Sequence, residues 1–397
     1  MDAYLLDWLN LLLRWAHVVV GIAWIGSSFY FVFLDNSLVP PEDPVLKDKG
    51  VDGELWAVHG GGFYNPQKYV LAPPRIPEHL HWFYWESYST WLTGFGLFTV
   101  LYLFHAASFL VDRNVHDWSA GAAIAASLAF LAVFWLVYDA VCRVFGHRPG
   151  GDRIVGVLVA AVVLVASWLA CQLFAGRAAF LLVGAMLATA MTANVAHWII
   201  PGQRKVIAQM KAGEPVDPRH GQRAKQRSVH NTYFTLPVLA TMLSNHYGFL
   251  YGARHNWVVL VLLMGAGALI RQSFVARHKA LVQERRVPWE YAVIGTLLLG
   301  GMAFWLAPAT GPAQAAAPAG FAHAQAVIAQ RCVMCHNEQV VSKNVQLHTP
   351  ALVQRHAQAI YQQSVLQKTM PLNNATQMTE AERGVLKRWF EAGAPGP

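Results

Sequence analysis

Apolar runs of 19 to 25 residues alternate with polar stretches through the first three quarters of the chain. A run of about 20 such residues is enough to cross a bilayer core as a helix. Eight runs are predicted as transmembrane helices: about 10–34, 86–110, 120–142, 154–174, 178–200, 231–251, 256–276 and 289–307. The first lacks a basic leader and a small-residue cleavage site, so it is expected to stay in the membrane rather than be removed as a signal peptide. After residue 307 the pattern changes. A Pro- and Ala-rich linker covers 308–320, and 321–397 reads as a small, polar, helical domain. The predicted fold is all-α, a polytopic bundle of eight transmembrane helices over 1–307 followed by that domain.

Composition agrees, with 55% hydrophobic residues, only 13% charged residues and 15 Trp. Loop charge then orients the bundle. With the N-terminus outside, the inner loops 35–85, 143–153, 201–230 and 277–288 hold 18 Lys and Arg, against Arg113, Arg177 and Arg254 on the outer loops. Positive charge gathers on the cytoplasmic side, so the N-terminus and the C-terminal domain are expected in the periplasm of a bacterial inner membrane. The net charge of +8 reflects this bias and gives no reason to expect a nucleic-acid partner.

The C-terminal domain carries Cys332-Val333-Met334-Cys335-His336, the attachment pattern of a c-type haem. Residues i and i+3 share a helical face, so both sulfurs reach one porphyrin and the next imidazole reaches its iron. A thioredoxin-like pair leaves the histidine unexplained. A zinc site lacks a second ligand pair, since Cys142 and Cys171 lie inside apolar runs. One covalent haem c is therefore expected on Cys332 and Cys335, with His336 as proximal ligand. Met370, followed by Pro371 and 34 residues beyond His336, leads as the distal thioether over Met378 and Met334. The domain thus reads as a small class I cytochrome c. Thr379-Glu380-Ala381-Glu382 opens its last helix as a capping box.

Ionisable groups in membrane spans are functional candidates, and they fall in two layers. His17, His105 and His246, expected at similar depth near the outer surface, are candidate ligands of a non-covalent haem b, with interhelical hydrogen bonding as the alternative. The inner layer holds Glu86, Asn194, His197, His230, Asn231 and Arg271 together with the loop 35–85. That loop is too long for a connector. Its Gly60-Gly61-Gly62 run allows close backbone approach to a ligand, and its aromatic residues offer stacking surfaces. An interfacial aromatic belt explains them equally well.

The strings His59-Gly60-Gly61-Gly62-Phe63-Tyr64, His81-Trp82-Phe83-Tyr84-Trp85-Glu86, Ile200-Pro201-Gly202-Gln203 and Arg227-Ser228-Val229-His230-Asn231-Thr232-Tyr233 resemble those of the membrane-bound urate hydroxylases, a family with eight spans and a cytochrome c domain. The resemblance covers nearly the whole chain. It implies oxidation of urate to 5-hydroxyisourate, with electrons passing to the haem c and then to a soluble cytochrome or terminal oxidase, and no hydrogen peroxide. For a planar purine anion, the residues suggest Lys68 or Arg271 as charge partner. Tyr64, Asn231, Gln203 and His59 are candidates for orientation, and His230 or Glu86 for general base. A site at the inner surface and a haem outside leave about 30 Å of hydrocarbon to cross, which is the reason to expect the intramembrane haem. Two other classes stay open: a quinol- or oxygen-linked respiratory subunit, and a transporter or sensor with a redox-reporting cytochrome.

Overall fold

The computed structural model describes residues 2–69, 73–307, 319–340, 342 and 345–397. The chain is mostly helical. A long first helix, α1 (Asp2–Ser37), leads into a short α2 (Pro44–Asp48) and four short strands. Strands β1 (Val51–Glu54) and β4 (Gln67–Tyr69) pair antiparallel around the hairpin of β2 (Ala57–His59) and β3 (Gly62–Tyr64). These two ribbons are the departure from an all-α chain. Gly60 and Gly61 take φ of +58° and +82°, as both central residues of a two-residue hairpin turn of type I′ must. The glycine run therefore serves the turn, a local need that its composition shared with ligand approach.

The bundle continues with α3 (Trp85–Phe98), a π turn (Thr99–Leu103), α4 (Ala106–Phe109), α5 (Ala120–Phe145), α6 (Gly151–Leu173) and α7 (Gly176–Asn194). A second π turn (Val195–Ile199) joins α7 to α8 (Ile200–Ala212), followed by α9 (Pro218–Ser244), α10 (Gly248–Tyr251), α11 (Asn256–Val282) and α12 (Glu290–Trp305). Local chemistry sets several bounds. The Ser119 hydroxyl caps α5 by accepting from the Ala122 N–H. Asp217 caps α9, whose first position is Pro218, the residue that lacks the N–H a helix start cannot use. Gly213 ends α8 at φ +69°, the left-handed stop that favours glycine.

Five helical segments are long and apolar enough to cross a membrane: Tyr4–Ser37, Ala120–Phe145, Gly151–Leu173, Gly176–Ala212 and Asn256–Val282. The chain therefore fits a membrane protein. The other three predicted spans are helical too, but each departs from a simple span. The run 86–110 is interrupted by the π turn and by His105, whose ψ of +39° leaves the helix. The run 231–251 begins thirteen residues early as α9, which is polar in its first half and contains Pro237. The last, α12, has 16 residues.

Helix α7 is the axis. Ala178, Phe180, Leu182, Val183, Met186 and Ala190 are fully buried, and α3, α5, α6 and α9 surround it, as expected for a helix apolar on every side. A Cβ at Gly184 would overlap the Thr241 hydroxyl, so the close approach of α7 and α9 depends on that glycine. At the rim, α1 packs on α3 and α11 yet leaves Leu5, Trp15, Val18 and Ile22 exposed, the face that lipid would cover.

A second apolar cluster forms the C-terminal unit. It comprises α13 (Phe321–Arg331), α14 (Pro350–Arg355), α15 (Ala357–Ile360), a π turn (Tyr361–Leu366), a 3-10 turn (Leu372–Asn374) and α16 (Glu380–Glu391). Helices α13 and α16 pack together around Ile328, Leu386 and Trp389. The 3-10 turn touches α4, and a Cβ at Gly248 would overlap the Gln367 carbonyl. Most of the expected linker, 308–318, lies outside the described residues.

Candidate active site

Where the C-terminal ends of α5 and α7 meet the first half of α9, a polar network replaces the apolar core. Asp139 is its centre. Its carboxylate accepts from Arg227 Nη2 at 2.6 Å, Trp198 Nε1 at 2.7 Å and Arg143 Nε at 2.7 Å. Arg227 and Asp139 are both buried, with side chains 3% and 7% exposed. Isolated charges at such a place would cost several kcal/mol each, so the pair holds only because its hydrogen bonds are met. The network continues on its other side. Arg227 Nη1 donates to Asn194 Oδ1 at 3.4 Å, and Asn194 Nδ2 donates to Asn231 Oδ1 and to the Tyr138 hydroxyl, both at 2.9 Å. Asn231 in turn donates to the Met191 carbonyl at 3.0 Å. The Tyr138 hydroxyl also hydrogen-bonds His230 Nδ1 at 2.8 Å, and Cys142 Sγ lies 3.9 Å from the same nitrogen.

The π turn explains how Trp198 reaches this network. It widens the helix between α7 and α8 and re-aims the side chains after Asn194, the usual consequence of such a turn. Cys142, Arg143, His147, Trp198, Arg223, Gln226 and Arg227 line a cavity of about 240 Å³ beside it. Chemically, the arrangement offers guanidinium donors, a flat indole and, behind Cys142, an imidazole able to exchange a proton with a phenol.

Of the residues expected in the inner layer, Asn194, His230 and Asn231 belong to this network. Its other members, Tyr138, Asp139, Trp198 and Arg227, were not singled out as ligands: Arg227 only opens one of the family-like strings, and the others sit singly in apolar stretches. The remaining candidates lie elsewhere. His59, Tyr64 and Lys68 are exposed on the ribbons, and Lys68 pairs with Asp35 at the end of α1. Gln203 is exposed in the first turn of α8. Glu86, in the first turn of α3, has one buried carboxylate oxygen without a partner. Arg271 on α11 is buried with its guanidinium 3.8 Å from the centre of the Phe29 ring, and its Nε and Nη2 have no acceptor among the described residues. The expected single cluster is thus divided: the ribbon residues and Gln203 are exposed, and Arg271 packs on Phe29 of α1.

The three outer histidines are also not at one depth. His17 Nδ1 sits 3.1 Å from the Thr90 carbonyl and from the Thr93 hydroxyl, with its ring against Gly94. Gly94 precedes His105 by eleven residues, about 15 Å of helix. His105 Nδ1 lies 3.3 Å from the Val100 carbonyl. The Tyr102 hydroxyl donates to Asn245 at 2.8 Å, which brings the helix ends carrying His105 and His246 together, while His17 lies farther back along α3.

In the C-terminal unit, Cys332 and Cys335 are unpaired thiols. Burial, then the neighbouring Cys335, pushes the Cys332 thiol up to about 11. His336 donates from Nδ1 to the Val345 carbonyl at 3.0 Å, which leaves the Nε2 lone pair free, as a metal ligand requires. Of the three thioethers, Met378 is spent in the apolar core and Met334 is 62% exposed. Met370 is half-buried, its backbone held by Gln363 and Arg383. These residues fit a covalently attached haem.

Residues 3–307 match the family model described as urate oxidase N-terminal. The chain belongs to that family. No curated protein and no solved structure matches it. The match covers the whole bundle, so the polar network at Asp139 and the cavity beside it lie inside the family region, and the chain's function is related to urate oxidase. The C-terminal unit lies outside the matched residues.

Proposed function

We propose that this membrane protein hydroxylates urate to 5-hydroxyisourate and delivers the electrons to a haem c on its own C-terminal unit. The observation that carries the electron-transfer half is His336, anchored at Nδ1 with Nε2 free, directly after two unpaired thiols. The family match supports the urate half. The reaction balances with water as the oxygen donor: urate and water give 5-hydroxyisourate, two protons and two electrons, and no dioxygen is consumed. Cys332, Cys335, His336 and Met370 would hold the haem. When bound, it would supply a one-electron acceptor, and a histidine–methionine ligand pair would favour its reduced state.

The remaining steps belong to the chain. His230 is the candidate base: its Nδ1 hydrogen-bonds Tyr138, whose hydroxyl is fixed by Asn194. Asn231, bonded to Asn194 and to the Met191 carbonyl, keeps that row in register. Eight crossings, counting α3 to α4, α9 and α12 with the five long segments, return the C-terminus to the periplasm, where haem c is attached and a soluble cytochrome or terminal oxidase collects the electrons. The contacts of Gln367 with Gly248 and of the 3-10 turn with α4 flank Met370, which supports transfer within one chain. For the haem b that a crossing of about 30 Å calls for, His105 and His246 share the outer end. Pyridine haemochrome analysis distinguishes haem b from haem c, and c-type absorbance alone removes the second haem.

The deciding experiment mixes the purified full chain anaerobically with urate, xanthine and allantoin and records the haem spectrum. Urate reduces the haem and allantoin does not. A spectrum unchanged by urate overturns the reading and returns the chain to a respiratory subunit or a redox sensor.

A further inference from the structure

None of the residues expected to bind substrate lines the cavity beside Trp198, yet it is the place where cationic charge and a flat surface converge. Three guanidinium carbons stand close to one indole: Arg143 and Arg227 at 5.1 Å and Arg223 at 5.9 Å from the ring centre. The acids around them are Asp139 and Asp152. Asp139 is fully used by Arg143, Arg227 and Trp198. Asp152 accepts from Gln226 Nε2 at 2.6 Å. Arg223 donates from Nε to His147 Nε2 at 3.0 Å, and among the described residues it has no carboxylate partner. Three cations therefore face two committed acids. A cavity of this kind attracts an anion, and guanidinium forks suit oxyanions best.

Shape narrows the class. The volume of about 240 Å³ lies just under the usual range for small-molecule sites, roughly 300–1,000 Å³, and so favours a small, compact ligand. The walls of indole and thiol reward a planar face, which a tetrahedral phosphate does not have. Cys142 then separates this space from His230 by one van der Waals layer. We infer that the cavity bounded by Trp198, Arg143, Arg223 and Arg227 binds the planar purine oxyanion, with Arg223 as the guanidinium left free to pair with it. This rests on the urate reading and names where that substrate sits. It also moves the charge partner away from Lys68, which already has Asp35, and away from Arg271.

Arg223 is partly exposed and makes a single side-chain hydrogen bond, so its replacement spares the buried network. The test titrates urate into the full chain in nanodiscs, with the haem chemically reduced so that no turnover occurs, and follows tryptophan fluorescence. Arg223→Gln should weaken urate about tenfold or more, while binding of neutral hypoxanthine stays unchanged. Arg204→Gln, on the same inner face and outside the cavity, controls for loss of surface charge. Trp198→Phe should lose the fluorescence response and weaken both purines. Equal urate affinity in wild type and Arg223→Gln overturns the cavity as the substrate site and leaves the urate reading standing. A wild type that neither binds urate nor is reduced by it fails the urate reading itself. Competition by inorganic phosphate, or by anionic phospholipid in the nanodisc, with no selectivity for the purine overturns the inference in favour of a headgroup site.

Discussion

The two chemical ends of this molecule are built in opposite ways. At the C-terminal end, Cys332, Cys335, His336 and the Val345 carbonyl that anchors the imidazole lie within fourteen residues of one another. Within the bundle, Tyr138, Asp139, Asn194, Trp198, Arg227 and His230 come from three helices and a π turn spread over more than ninety residues. Attaching a haem covalently requires fixed local spacing, so its signal is contiguous. Binding a small anion requires only that side chains converge, and any helix crossing can supply that. The first kind of site tolerates a marginal surrounding fold. The second exists only as long as the helices keep their distances.

The sharpest break in this comparison is at the local end. Cys335→Ser should abolish covalent haem almost completely, seen as loss of haem-linked peroxidase staining on a denaturing gel, while the bundle keeps its helicity by circular dichroism. Persistent stain would show that another residue holds the group. At the assembled end, Asp139→Asn leaves Arg227 buried with its ion partner neutralised. It should destabilise the bundle by about 3–5 kcal/mol, read as a fall in the denaturation midpoint in detergent. A loss below 1 kcal/mol would mean that solvent reaches Arg227 and that the network is not closed.

Smaller effects sharpen the contrast. Thr379 and Glu382 form a reciprocal capping box on α16, and Glu382 also pairs with Arg331 of α13. Thr379→Ala should cost about 1 kcal/mol, confined to the C-terminal unit. The Thr379 N–H first, with Arg331 adding to it, holds Glu382 below the ordinary carboxylate value. The stabilisation this gives is therefore complete at neutral pH and fades as pH falls through the carboxylate range. A thermal midpoint of the C-terminal unit that rises on acidification would contradict that direction. Least of all, Lys68→Met removes an exposed ion pair to Asp35 and should change stability by less than about 1 kcal/mol. If it instead abolishes urate binding, the ribbons belong to the site after all.

Much of the architecture was legible because bilayer physics writes itself into long apolar runs. The helices at 120–145, 151–173 and 256–282 follow their hydropathy closely. Misreadings arose where backbone geometry overrode composition. The break at 99–105 is a π turn within an apolar run, and no residue type announces it. The glycines at 60 and 61 were open to a ligand role until their positive φ showed a hairpin turn. His17 looked level with His105 because residue counts from helix ends ignore how far α1 slides along α3.

From its sequence alone, this protein carries a membrane-spanning apolar pattern, a basic bias on one side, a haem-attachment signature and the motifs of its family. Each is local, set by lipid solvation or by covalent spacing, and so needs no partner segment to be read. The tertiary structure alone decided that Asp139 binds three donors at once, that Trp198 turns toward them, and that Arg223 is left without an acid among the described residues. Those facts depend on the angles at which helices cross, and a buried charge reveals its role only when its neighbours are known.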